Sequence, residues 1–212
     1  MRVPARLSRQ WAPTIIALAL VGCGGLFGGS SPAQLYRVTP VDAFPPGLPH
    51  LPVQVLIDEP LAPAGLDTTR IALGRSAVSI EYFADSEWTD RVPLMVQTAL
   101  LESFEDSKAL SAINRESLGL HADFILKTEI RHFEALYDSP NQAPQVWVAI
   151  ITRLVNPSGR DIVSEDSFER RVRAETNDVP QIVLAFDEAL EGVMEDIVVW
   201  AARNPALSPG RH

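Results

Sequence analysis

A single cysteine, Cys23, stands in a chain of 212 residues. One thiol leaves the fold no internal disulfide, and one copy of the chain can hold neither a cysteine-cluster zinc site nor an iron–sulfur cluster. Stability must therefore come from an apolar core. The composition supplies one: 46% of residues are hydrophobic and 21% charged, near the average for globular chains, and the length suits one domain of ordinary size. Eighteen basic and 27 acidic side chains leave a net −9. Arg2, Arg6 and Arg9 are the only charged residues ahead of Cys23, so the remainder holds 15 basic against 27 acidic groups, a net −12. Such a surface repels phosphate backbones, and nucleic acid is excluded as a partner.

The three arginines precede an apolar stretch from Trp11 to Val21, interrupted by Pro13 and Thr14, that stops at Gly22-Cys23. Spanning a bilayer takes about 20 apolar residues, so residues 1–22 read as a secretory signal peptide and not as a permanent anchor. Leu20-Val21-Gly22-Cys23 resembles the bacterial lipobox. That resemblance implies cleavage between Gly22 and Cys23, with the lipid attached to Cys23 at the new amino terminus. Each buried methylene of an acyl chain contributes about 0.8 kcal/mol, so several chains anchor a protein almost permanently. Gly24 follows the cysteine where an inner-membrane retention signal would place Asp, which implies the periplasmic face of the outer membrane. Residues 23–33, rich in Gly and Ser and without charge, form the expected lipidated flexible tether. Ten such residues have an r.m.s. span of roughly 17 Å and a maximum of about 35 Å.

The folded domain is expected over 34–204, with a disordered tail over 205–212. Gln34 to Thr39 is a short strand candidate, and the prolines at 40, 45, 46, 49 and 52 then forbid helix and predict an ordered loop. Val53, Val55 and Ile57 alternate as in a strand. A hairpin is expected from Thr68 to Ala84, turning at Gly74-Arg75-Ser76. Asp90 is a helix cap candidate ahead of Pro93, and apolar residues at helical spacing predict a helix over about 91–107, followed by a short strand at 112–115. Between Ala122 and Tyr137 the even positions Phe124, Leu126, Thr128 and Ile130 share one face; the switch to Phe133 predicts a bulge. Gln145 to Val155 and Arg160 to Ala174 read as a second hairpin through Asn156-Pro157-Ser158-Gly159. The final helix, capped at Asn177 or Asp178, carries a wide apolar stripe that includes Phe186 and Trp200, both expected to face the sheet. The order of elements lacks regular βαβ alternation. It predicts an α+β fold: a mostly antiparallel or mixed sheet with two main helices on one face.

Chemistry-bearing patterns are sparse. The glycines from Gly24 to Gly29 precede the fold and follow no strand, so they make no phosphate loop. His50, His121, His132 and His212 lack a second histidine at metal-ligand spacing. Ser164, Glu165, Asp166, Ser167 and Glu169 form an acidic patch that could supply a carboxylate pair, although charged strand edges more often guard against unwanted pairing. Asp187, Glu188, Glu191, Glu195 and Asp196 lie opposite the apolar stripe and read as its wet face. No serine sits in a Gly-x-Ser-x-Gly elbow. Trp88 and Trp147 are either core residues or aromatic anchors of an interface. No cofactor, metal or catalytic residue is expected, and the chain reads as no enzyme.

Several segments together resemble the ABC-type transport auxiliary lipoproteins, the family that includes the paraquat-inducible protein C group. They are the lipobox at Cys23, Leu35-Tyr36-x-Val38, Thr69-Arg70-Ile71-Ala72, and Ile80-Glu81-Tyr82-Phe83-Ala84 with Trp88 and Pro93. Ala122-Asp123-Phe124-Ile125-Leu126, Phe133-x-Ala135-x-Tyr137, Phe168, Ala185-Phe186-Asp187-x-Ala189 and Trp200 continue the likeness. The resemblance implies a non-enzymatic component of intermembrane lipid transport, held at the outer membrane by its lipid. Its implied partners are a periplasmic mammalian-cell-entry-type (MCE-type) protein and, through it, an ABC permease and ATPase, with homo-oligomers in some members. Two other readings stay open: a free-standing lipid carrier, and a cell-wall hydrolase or its regulator. Apolar residues on the solvent side of the strands would favour docking, an enclosed apolar cavity the carrier, and a polar cleft with converging carboxylates the hydrolase.

Overall fold

The computed structural model describes residues 32–207 apart from 77, 117, 118, 120, 140 and 141; Gly22, Cys23 and most of the expected tether lie outside the described residues. In chain order the elements are β1 (Gln34–Tyr36), β2 (Leu51–Ile57), β3 (Arg70–Ser76), β4 (Ser79–Trp88), α1 (Val92–Ser107), β5 (Leu110–Arg115), β6 (Phe124–Leu136), β7 (Gln145–Asn156), β8 (Asp161–Arg173) and α2 (Val179–Ala202).

β6 organises the sheet because it is long and its two edges are used differently. One edge pairs antiparallel with β7 along its whole length, and β7 pairs antiparallel with β8. The other edge is shared. β2 runs parallel to its first part through Val55–Ile57, Leu61 makes a single parallel bridge at Glu129, and β3 runs parallel to its end through Leu73 and Gly74. The sheet thus forks at β6, with β5 beyond β2 and the β4 and β1 strands beyond β3. Four strand pairs are parallel and three antiparallel, so the sheet is mixed and the fold is α+β, as the element order predicts. The expected bulge is present: the β6–β7 register shifts between Ile130 and His132. Before it Phe124, Leu126, Thr128 and Ile130 are buried, and after it Phe133 and Ala135.

The buried face of the sheet is covered by α1 and α2, which also touch each other. Phe186 on α2 meets Trp88 edge-on at 5.3 Å between centroids, and Phe133 at 5.0 Å; all three are essentially unexposed. Trp88 is therefore core. Trp200 packs edge-on against Phe168 of β8 at 5.8 Å but is only partly buried. Thr128 and Thr152 stand directly opposite each other in this core, and neither buried hydroxyl has a hydrogen-bond partner. The proline-rich segment is an ordered strap across both helices. The Thr39 N–H and hydroxyl donate to Asp187 of α2 at 2.7 and 2.9 Å, and the Val41 N–H donates to Ser103 of α1 at 2.9 Å.

Three local expectations need correction. The β3–β4 turn lies beyond Ser76 and not at Gly74. Gly74 is a ladder residue opposite Leu136, where an added Cβ would come within 3.0 Å of the leucine side chain. Asp90 does not cap α1: Arg91 occupies the cap position, and Asp90 accepts the Arg91 N–H at 2.7 Å while the Arg91 guanidinium binds Asp67 and Glu59. The tail is ordered for three residues more than expected, because Pro205–Leu207 form a 3₁₀ turn that buries Leu207.

Candidate docking groove

On the face of the sheet away from the helices, the β3–β4 hairpin, the end of β6 and Trp147 of β7 border an open groove of about 670 Å³. Its position follows from the bulge. By reversing side-chain parity, the bulge that sends Phe133 and Ala135 inward turns His132, Glu134 and Leu136 toward the other face. Gly74 lets β3 come close to Leu136, so the hairpin forms one wall with Val78 and Ile80 while Trp147 of β7 stands across from it. Val78 is 95% exposed and Ile80 45%, and neither is among the buried core residues.

The polar residues of the groove are held in place. The His132 ring stacks on Trp147 with centroids 3.2 Å apart, and the Arg171 guanidinium of β8 lies 3.9 Å from the centre of the same indole. His132 Nδ1 is 2.7 Å from Glu134, whose other oxygen accepts the Phe133 N–H at 2.8 Å. The Trp147 indole donates to Glu169 at 3.1 Å. Trp147 is thus only half-buried and forms a stacked platform at the groove. At the other end Tyr137 donates to Asn177 at 2.6 Å, and burial pushes its hydroxyl above the usual tyrosine range against the opposing pull of Arg75.

The acidic residues flagged in the sequence separate into different roles. Glu165 is paired with Arg153, which also binds Glu129 at 3.2 Å; Ser164 accepts from Asn204 at 2.8 Å; and Glu169 holds Trp147. They tie β8 to β7 and to the segment after α2 and do not converge. On α2, Asp187 clamps the strap and Asp196 pairs with Arg170, so its polar face is more than a wet surface. Burial, with Asp187, Asp42, Glu195 and Glu188 nearby, raises Glu191.

Elsewhere, among the described residues, two carboxyl groups come into direct hydrogen-bond contact, and sequence spacing gave no signal for it. Asp58, after β2, and Glu116, after β5, meet across the parallel β2–β5 pair and share Lys127 of β6 at 2.5 and 3.8 Å. Burial pushes Asp58 up, but hydrogen bonds from Lys127 and Glu116 outweigh it and hold it below the ordinary carboxylate range. Burial and the facing Asp58 raise Glu116, while hydrogen bonding to Asp58 raises Lys127 despite partial burial. The lysine balances one of the two carboxylate charges, and the cluster ties three strands together. His50 Nδ1 lies 2.9 Å from the Lys108 carbonyl, at the opposite end of β2 from this cluster. His212 lies outside the described residues.

Fold and groove define an α+β domain with an apolar, solvent-open recess on its strand face. The chain belongs to the ABC-type transport auxiliary lipoprotein component family, whose model matches residues 34–198. It is 28% identical over 183 residues to the uncharacterized protein bll6063 of Bradyrhizobium diazoefficiens; the match covers 85% of this chain but only 48% of that protein's length. Among solved structures, protein XCC0632 from Xanthomonas campestris shares the fold at a TM-score of 0.75 and 23% identity, covering 80% of this chain and 95% of that one. A crystal structure of an uncharacterized protein is similar at a TM-score of 0.61 and 12% identity, over 79% of this chain and 97% of that one.

Proposed function

We propose that this chain is a non-catalytic docking component of an ABC-driven intermembrane lipid transport system. It is held at the periplasmic face of the outer membrane by a lipid on Cys23, after cleavage behind Gly22. Family membership supports the association with an ABC transporter. The observation that carries the docking role is the exposure of Val78 and Ile80, which line an open groove together with Trp147. Apolar side chains in that position cost solubility and gain nothing for the core, which is the pattern of an interface anchor. The occupant is an apolar segment of an MCE-type periplasmic protein, linked in turn to an inner-membrane permease and ATPase. An open recess suits a protein segment better than the enclosed cavity that a free lipid carrier requires.

The test is affinity purification of the full lipidated chain from detergent-solubilised membranes, with identification of what accompanies it. An MCE-type protein, a permease and an ATPase should be recovered, and Val78→Asp should lose them without changing the melting curve. Recovery unaffected by Val78→Asp would remove the groove from the reading, and saturable hydrolysis of lipid or glycan by the purified chain would replace docking with catalysis. Cys23→Ala should abolish acyl labelling. Labelling that persists would refute the anchor.

A further inference from the structure

The β8 strand ends the sheet with 13 residues that pair, among the described residues, only with β7. Long free edges template further strands, and charged residues usually blunt them. Here the charges are ordered rather than scattered. Asp161, Glu165, Asp166 and Glu169 fill the first part of the strand, and Arg170, Arg171 and Arg173 the last. A strand that is acidic at one end and basic at the other is complementary to itself when two copies run antiparallel.

We propose that β8 pairs with β8 of a second copy about a two-fold axis at Phe168, extending the sheet across two protomers. The register follows from parity and charge. Two groups on the strand's own backbone are met by its own side chains: Asp166 accepts the Ser167 N–H at 2.8 Å, and Arg170 donates to the Glu169 carbonyl at 3.0 Å. Ser167 and Glu169 therefore carry the edge-directed groups that a partner strand would bind, so odd residues must oppose odd residues. Of the registers that satisfy this, the one with Ser167 opposite Glu169 of the second copy also sets Glu165 opposite Arg171 and Asp166 opposite Arg170, each pair occurring twice by symmetry. Shifting by two residues either way places Glu169 opposite Glu169, or Glu165 opposite Glu169.

The same register completes a row of charges already present. On the strand face opposite the helices, Glu129 of β6 binds Arg153 of β7, and Arg153 binds Glu165 of β8. Arg171 of the second copy would be the next alternating charge, carrying the row on to that copy's Trp147, over which Arg171 lies. An isologous strand pair of this kind is a closed contact, so its product is a dimer and not a filament. The inference concerns a second copy of the chain and is independent of the transport reading.

Two tagged full-length copies, one carrying Ser167→Cys and the other Glu169→Cys, should be co-expressed and oxidised in membranes, with the wild type, which has Cys23 alone, as control. Opposed residues in a hydrogen-bonded antiparallel pair have Cα atoms about 5.5 Å apart, within disulfide reach. A cross-linked species bearing both tags is expected, and Ser167→Cys copies alone should yield much less because residue 167 is offset from itself. Adding Glu165→Arg to both copies turns two attractive pairs into repulsive ones and should cut the yield about tenfold. The further change Arg171→Glu should restore it. No mixed cross-link, equal yield from Ser167→Cys alone, indifference to Glu165→Arg, no recovery with Arg171→Glu, or capture of a different protein at residue 167 would each overturn the proposal.

Discussion

The two faces of the last part of β6 show how differently the same strand can be used. Inward, Phe133 and Ala135 lie under α2, where Phe186 and Trp88 close an aromatic cluster that is at most 1% exposed. Outward, His132, Glu134 and Leu136 border a groove whose apolar wall is exposed and whose polar groups are fixed by stacking and hydrogen bonds. One face uses burial for stability. The other leaves apolar area uncovered while immobilising its polar neighbours, which reduces the entropy a partner must remove on binding.

That contrast would be tested most severely by Phe186→Ala. Deleting a fully buried aromatic side chain should cost about 3–5 kcal/mol, read as a lower urea midpoint at unchanged slope. An unchanged midpoint would mean that the inward face is not the core. Trp200→Ala should cost clearly less, because Trp200 is only partly buried. Next in size is Thr152→Val, which replaces an unpartnered buried hydroxyl by a methyl group of similar shape and should raise stability by about 1 kcal/mol. A loss would show that the hydroxyl is satisfied in solution.

A smaller effect is expected from Asp58→Asn. The folded value for Asp58 is lowered, so its contribution is complete above the ordinary carboxylate range and disappears as pH falls through that lowered value. Glu116 is raised and acts in the opposite sense: its contribution is present at acid pH and is lost as pH rises through the raised value. Asp58→Asn should therefore cost less than about 1 kcal/mol near neutrality, since both partners are partly exposed, and its effect should vanish in acid. A pH-independent difference would assign the effect to packing. Smallest of all, Val78→Ser should shift stability by no more than about 0.5 kcal/mol, because Val78 is almost fully exposed. A larger loss would make the groove wall a structural feature.

Local periodicity made part of this legible in advance. The α2 stripe, the alternation of β6 and its bulge all follow from residue spacing within one segment. The forked sheet does not, because β2 with β5, β2 with β6 and β1 with β4 are parallel pairs between distant segments, and no turn in the sequence marks them. Gly74 misleads for a related reason: a glycine can signal a turn or a close approach, and only the presence of Leu136 opposite it decides. The groove was illegible because Val78, His132 and Trp147 come from a hairpin turn and two strands; Trp147 stood out as a possible anchor, but its neighbours in the groove did not. The acidic patch of β8 was visible as composition, but the roles of Glu165 and Glu169 depend on β7 neighbours, Arg153 directly opposite Glu165 and Trp147 diagonal to Glu169.

The strap and β1 also determine how the domain would respond to tension. β1 lies parallel to β4 through Gln34, Leu35 and Tyr36, so a pull directed along β1 would load those pairings in shear, together, rather than unzipping them one after another. Behind them, the bonds of Thr39 to Asp187 and of Val41 to Ser103 join the same segment to α2 and α1. Force along that direction would be shared by one strand and both helices before it reached β6, which places the groove behind three separate attachments.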